Sequence, residues 1–238
     1  MLSKKVLKDI QSLGLKKRRE ETGLFVAEGP KIVEELMHVV PEQIEAIYAT
    51  RNWMDNHKGD VKTHEVSDID LEKISQLKTP NQVVAVLRQF EPSLPDTNTF
   101  ILYLDAIQDP GNFGTIVRIA DWFAIKHIVC STGCADMYNP KVVQASMASI
   151  ARVNVFYDDT DSWLKEQKQT IYAASLHGRP LSSFSKITNG ILVIGNESKG
   201  IRQPFLDLTA EHITIQKRGE AESLNAAVAT GIILSHLI

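Results

Sequence analysis

Three short stretches of the 238-residue chain hold polar residues that can bind an anion or orient a reacting group, each set after an apolar run. The first is Asn112-x-Gly114-x-x-x-Arg118, which follows Phe100 to Leu104. A glycine-bearing turn after an apolar strand suggests a dinucleotide site. However, Gly111 and Gly114 give G-x-x-G where the fingerprint requires G-x-G-x-x-G, and the next apolar run ends His127-Ile128-Val129-Cys130-Ser131 with no acidic residue for a ribose. A nicotinamide cofactor is therefore not expected. The plainest roles are a helix cap for Asn112 and a surface charge for Arg118. A guanidinium among Ile116, Val117, Ile119 and Ala120 is nevertheless costly unless it meets an anion, and phosphate is the natural one. This places Arg118 on the first turn of a helix, beside the loop that holds Asn112. The second stretch, Gly195-Asn196-Glu197-Ser198-Lys199-Gly200, follows Ile191 to Ile194, and its terminal glycines let a ligand lie close against the backbone. The third is Ser223-Leu224-Asn225, followed by the small residues Ala226, Ala227, Ala229 and Gly231. Here Ser223 is expected to cap the last helix.

The elements that must position these residues are legible in the hydrophobic pattern. Continuously apolar runs at Phe100 to Leu104, His127 to Val129, Val153 to Phe156, Thr170 to Ala174, Ile191 to Ile194 and His212 to Ile215 read as strands. Helical stretches separate most of them, at Thr115 to Ala124, Pro140 to Ile150, Ser162 to Gln167 and Leu224 to Leu237. Apolar strands alternating with helices argue for an α/β fold with a parallel sheet covered on both faces, and ligands of such sheets sit at the carboxyl ends of the strands. Upstream, helices at Leu2 to Leu13 and Lys31 to His38 alternate with strands at Ile44 to Tyr48 and Val83 to Leu87, which suits a small separate α/β module. The proline-bearing stretch from Glu91 to Thr99 is the linker expected between domains at 1–92 and 99–238.

Twenty-six basic residues against 29 acidic ones give a net charge of −3, which excludes a protein that is basic overall. The charge is uneven: Lys4, Lys5, Lys8, Lys16, Lys17, Arg18 and Arg19 face only Asp9 in the first 19 residues. Taken alone, such a run reads as a solvated helix face. Cys130 and Cys134 lack a second ligand pair, so a reduced pair in a cytoplasmic protein is expected and a metal is not. No run is long enough to suggest a signal peptide or a membrane span.

Together, Asn112-x-Gly114-x-x-x-Arg118, Gly195-Asn196-Glu197-x-x-Gly200 and Ser223-Leu224-Asn225 resemble, in order, the three motifs of the SpoU/TrmH branch of the knotted RNA methyltransferases. The resemblance covers residues 99–238. It implies a trefoil-knotted parallel sheet, S-adenosylmethionine as methyl donor and transfer to a ribose 2′-hydroxyl of RNA. It also implies a cofactor held by backbone groups around Leu176, Gly195, Asn196, Gly200, Ile215 and Leu224. Asn112, Arg118, Glu197, Ser223 and Asn225 become the expected catalytic set, and a homodimer that builds the active site across its twofold interface is expected. One departure is Thr214, where the family commonly has proline. The stretches Lys16-Lys17-Arg18-Arg19 to Lys31 and Lys78 to Val86 are similar to the substrate-binding domain attached to many such enzymes, a relative of an RNA-binding ribosomal protein fold. That likeness moves Lys16, Lys17, Arg18, Arg19 and Lys31 from solvated charges to expected RNA contacts. By analogy with relatives of this architecture, ribosomal RNA is favoured over transfer RNA, and an RNA-binding protein without activity is the reading from another class.

Overall fold

The structure is a computed structural model that describes residues 2–57 and 62–238. The chain divides into two compact units, one of residues 1–91 with 136–151 and one of residues 92–135 with 152–238. The cut at residues 91 and 92 falls in the proline-bearing stretch, whereas the grouping of 136–151 with the first unit had no counterpart in the sequence pattern.

The first unit begins with two helices, α1 (Lys4–Ser12) and α2 (Lys16–Thr22), and continues β1 (Leu24–Glu28), α3 (Pro30–Val39), β2 (Ile44–Ala49), α4 (Arg51–Asn56), β3 (Thr63–Glu65), α5 (Asp68–Ile74) and β4 (Val83–Arg88). Its four strands lie in the order β1-β4-β2-β3, with β4 antiparallel to β1 and β2, and β3 parallel to β2. Val26, Val84 and Val86 of the sheet pack with Ile10 and Leu13 at the end of α1 and with Leu71 and Ile74 of α5. Burying each such aliphatic side chain is worth about 1.5–3 kcal/mol, enough for a small sheet with helices to hold together.

The second unit contains β5 (Phe100–Asp105), α6 (Pro110–Trp122) and β6 (His127–Cys130). After α7 (Pro140–Ser146), which belongs to the first unit, come β7 (Asn154–Tyr157), β8 (Ile171–Pro180), β9 (Gly190–Gly195), α8 (Gln203–Leu206), β10 (Glu211–Thr214) and α9 (Ala226–Leu237). The six strands form one sheet in the order β10-β8-β9-β5-β6-β7, and every pairing is parallel. All six strands expected from the apolar runs are present. Alternate residues divide between the two faces: Ile101, Tyr103, Val129, Ile191 and Val193 pack with Leu164, Ile201 and Phe205 in one cluster. Leu102, Leu104, Ile128, Leu192 and Ile194 are equally buried, and α9 packs on both α6 and β9. Two-sided burial is why these strands read as unbroken apolar runs.

The stretch Ser162 to Gln167 forms a 3-10 turn over Trp163–Glu166 in place of an α-helix. The last helix starts two residues after Leu224, with Asn225 and not Ser223 as its cap: Asn225 Oδ1 accepts from the amides of Ala227 and Val228. An asparagine at this position satisfies two of the amides that a helix start leaves unpaired.

Candidate active site at the carboxyl ends of the parallel strands

The loops that follow β5, β9 and β10 carry the three motif stretches. Asp109 caps α6 by accepting from the Asn112 amide at 2.7 Å, which holds the Asn112 side chain at the start of the helix. The Asn112 amide nitrogen donates to Glu197 Oε1 at 2.7 Å, and Asn112 Oδ1 accepts from the Asn225 amide nitrogen at 2.7 Å. Asn225 Oδ1 in turn receives the first amides of α9. One continuous chain of hydrogen bonds therefore runs from the second motif through the first to the third. It also fixes which end of each amide is oxygen, since Asn112 cannot donate to a carboxylate and accept from Asn225 in the flipped orientation.

The second motif is a tight loop closed by paired backbone hydrogen bonds between Asn196 and Gly200 at 3.1 and 2.9 Å. Asn196 Oδ1 accepts from the amides of Ser198 and Lys199, and its amide nitrogen donates to the Ala106 carbonyl at 2.8 Å, tying the loop to the end of β5. Gly195 permits this closure, because a Cβ there would lie 2.4 Å from backbone atoms of Gly200 and Ile201. Ala106 itself holds a φ of +52°, an unusual conformation for a residue with a side chain and one that concentrates at functional sites.

A second network lies beneath these loops, among residues the sequence pattern did not single out. The fully buried carboxylate of Asp105 accepts from the backbone amide and Nε of Arg202, both at 2.7 Å, and from the Ser131 hydroxyl. Arg202 also donates to Asp161, which accepts in addition from the amide and hydroxyl of Thr132. Burial opposes ionisation of Asp161, but the Arg202 and Thr132 donors outweigh it and hold its carboxyl below the usual carboxylate range. The signal for this network was a charged residue closing a wholly apolar strand, since an ion there requires a partner.

Arg118 stands differently from its expectation. It lies on the third turn of α6, not the first, and its side chain is exposed, while Phe113, Ile116, Val117 and Ala120 form the buried stripe. The apolar neighbours in sequence occupy the other face of the helix, so burial does not force Arg118 onto an anion. Among the described residues it has no hydrogen bond or ion pair, and neither it nor exposed Ser223 joins the Asn112 chain.

The expected cofactor residues lie at strand ends and in the adjoining loops. Between His212 and Ile213 the pairing partner on β8 jumps from Ala173 to Arg179, so residues 174–178 bulge out of the ladder. Leu176 sits on that bulge with 63% of its surface exposed, and Leu224 before α9 is 48% exposed. Gly178 closes the bulge, where a Cβ would fall 2.4 Å from the His212 carbonyl oxygen. Thr214, standing where the resembled family commonly has proline, donates its hydroxyl to the Ser175 carbonyl at 2.9 Å and so ties β10 to the bulge. Leu176 and Leu224 are thus large apolar side chains left open to solvent, one on the β8 bulge and one in the loop before α9.

A model of the SpoU rRNA methylase family matches residues 99–235. The chain belongs to that family. A model of the MRM3-like substrate binding domain matches residues 4–85 of this SpoU-family chain. The 23S rRNA (guanosine(2553)-2′-O)-methyltransferase RlmP of Bacillus subtilis is 31% identical over 97% of this chain and 95% of its own. Among solved structures, a TrmH-family protein from Porphyromonas gingivalis is 36% identical, with a TM-score of 0.86 over 99% of this chain and 97% of its own. An AdoMet-bound rRNA methyltransferase from Sinorhizobium meliloti is 27% identical, with a TM-score of 0.83 over 98% of this chain and 94% of its own.

In the first unit of this SpoU-family chain, one member of the basic run, Arg19, departs from its expected role. Arg19 is 2% exposed: its Nε and Nη2 donate to Asp136 Oδ2, and its Nη1 donates to the carbonyls of Leu13 and Gly14. A guanidinium so enclosed is structural and cannot reach a phosphate. Lys16 pairs with Glu20, and both Lys17 and Arg18 pair with Glu21, along α2. Lys31, exposed at the start of α3, has no such partner among the described residues. No helix among the described residues is long and apolar enough to cross a membrane.

Proposed function

We propose that the protein is an S-adenosylmethionine-dependent methyltransferase that modifies a ribose 2′-hydroxyl of ribosomal RNA, acting in the cytoplasm. The observation that carries this reading is the hydrogen-bonded chain Glu197–Asn112–Asn225, which joins three loops at the carboxyl ends of parallel strands. Likeness over nearly the full length to a 23S rRNA 2′-O-methyltransferase supports the substrate class. Residues around Leu176, Gly195, Asn196, Gly200, Ile215 and Leu224 would hold the cofactor, which supplies an activated methyl group on a sulfonium. The supporting strand order puts β10 outside β8 while α9 returns to pack on α6 and β9, a path suited to a trefoil knot.

The chemistry asks the protein to place a poorly acidic hydroxyl about 3–3.5 Å from the methyl carbon and to hold it there as the C–O bond forms, the C–S bond breaks and the proton leaves to water. Glu197, held by Asn112, and Asn225, held by α9, form a fixed polar wall that orients the sugar, with Ser223 on the adjoining loop. Arg118 grips the phosphate and the hydroxyl; a guanidinium is not deprotonated in proteins, which favours this role over that of a base. The face that bears Arg118 also explains why it has no partner among the described residues of one chain. Trp122 is 83% exposed one turn further along α6, and Val228 and Ile232 are 50% and 37% exposed on α9, which packs against α6. An apolar patch of this kind fits a second copy of the chain, and a homodimer through α6 and α9 would bring Arg118 to the partner's site. Arg118→Ala should abolish methyl transfer to RNA from cells lacking the protein, while calorimetric binding of S-adenosylmethionine persists. Retained transfer of radiolabelled methyl groups by this variant overturns the assignment.

A further inference from the structure

The first unit contains a cavity of about 690 Å³ that the motif residues do not touch. Its lining includes Thr50, Arg51 and Asn52 after β2, Glu65 and Asp68 at and after β3, and Gln82 before β4. The pairings Glu28 with Val84, Ala49 with Val83 and Ala49 with Glu65 put the ends of β1, β2 and β3 and the beginning of β4 on one edge of the sheet. Lys31, three residues past β1, and Lys78, in the loop leading to β4, are therefore on the same edge as the cavity, and both are exposed.

Three features point to a ligand. First, the side-chain amide of half-buried Gln82 makes no hydrogen bond among the described residues, although it lines a concave site, and the exposed Asn52 and Asp68 at the same site leave their polar atoms open to a ligand. Second, Gln82 holds a φ of +59°, a conformation that costs a residue with a side chain of order 1–3 kcal/mol and persists where function requires it. Third, Thr50 is 92% buried with its hydroxyl oxygen unpartnered, although it occupies the cap position of α4, where a hydroxyl ordinarily accepts from the helix. The charges select the class. Arg51 is already paired with Asp55 and Glu65, and Asp68 adds a further carboxylate, so the cavity repels a phosphate. An uncharged ring with donors and acceptors on one edge suits two free amides, while the phosphates that flank such a ring suit the lysines outside.

We propose that this cavity receives an unpaired nucleobase of the RNA substrate, with Asn52 and Gln82 contacting its hydrogen-bonding edge and Lys31 and Lys78 contacting adjacent phosphates; this rests on the function proposed above. RNA single strands and loops are read through such splayed bases, whereas a duplex hides these edges.

The test is fluorescence-anisotropy titration of the full chain with two labelled RNA probes, a single-stranded 12-mer of mixed sequence and the same ribose-phosphate chain without bases. The base-bearing probe should bind about tenfold tighter, the scale of one good amide-to-base contact. The double variant Asn52→Ala, Gln82→Gly should bind both probes as the natural chain binds the abasic one; glycine at 82 accepts the positive φ without strain. Equal binding of the two probes by the natural chain overturns the proposal without recourse to any variant. So does a double variant that keeps the preference. Competition by adenosine or guanosine monophosphate at micromolar concentration would assign the cavity to a free nucleotide instead. None of these readings needs turnover: a chain that prefers the base-bearing probe but transfers no methyl group would refute the enzymatic function and leave the cavity's assignment standing.

Discussion

The basic run of α2 and the scattered polar residues of the second unit make opposite use of sequence proximity. Lys16, Lys17, Arg18 and Arg19 are adjacent and look like one surface, yet they do not act as one: three pair with glutamates on the same helix, and the fourth is buried against Asp136 and two carbonyls. Asn112, Glu197 and Asn225 are separated by 85 and 28 residues in the chain, yet they form one hydrogen-bonded line. A charge run reports local composition, whereas a site is assembled by strand order. The parallel sheet brings the ends of β5 and β9 together because the two strands are neighbours, paired from Phe100 with Gly190 to Asp105 with Gly195.

Three substitutions would break or sharpen that contrast. The largest effect is expected at Arg19, because truncating it leaves Asp136 and two carbonyls without their donor in a buried place. Arg19→Ala should cost about 3–5 kcal/mol in urea unfolding, the scale for removing one partner of a buried ion pair. A loss under about 1 kcal/mol would return Arg19 to the surface run. The next effect concerns the scattered set. Asn112→Asp replaces the amide that donates to Glu197 with a carboxylate facing a carboxylate, so the line breaks by repulsion at a contact of 2.7 Å. Methyl transfer should fall by about 100-fold through misplacement of the sugar. The folding midpoint should move little, since Asn112 lies at the rim of the unit and not in its core. An unchanged rate would detach the chain of hydrogen bonds from function.

The smallest effect belongs to Lys16 and Lys17, whose pairs with Glu20 and Glu21 are exposed contacts at 3.6 and 4.0 Å. Lys16→Ala and Lys17→Ala should each change stability by less than about 0.5 kcal/mol. If either lysine also meets a phosphate, the slope of log affinity for RNA against log salt should become shallower by about 1 for each one removed. An unchanged slope leaves these lysines as a solvated face and moves the phosphate contacts to the edge that bears Lys31 and Lys78.

Some of the site was legible because its determinants are local. A glycine before a tight loop and a continuous apolar strand each depend on residues within one turn or one strand, so Gly195 and the six strands of the second sheet could be located from pattern, whereas the cap of the last helix, expected at Ser223, falls on Asn225. The strand β1 was missed: five residues after a charged helix give little periodicity, and its burial comes from pairing with β4. The helix α2 was missed because Lys16–Thr22 has no apolar stripe to mark it. Arg118 was set on the wrong turn and the wrong face, since apolar residues adjacent in sequence lie on other sides of a helix that advances about 100° per residue.

The sequence by itself determined the kind of sheet, the order of its strands along the chain and the chemical types waiting at their ends, because hydrophobic periodicity and loop composition are short-range properties. Only the tertiary structure decided which of those polar groups meet. Asp105 found Arg202 across 97 residues, Arg19 found Asp136 across 117, and Asn112 found both Glu197 and Asn225, while Arg118 was left facing solvent. Each of those outcomes follows from strand neighbours and helix faces, and these are set by the burial of the whole apolar surface at once and not by any residue's neighbours in the chain.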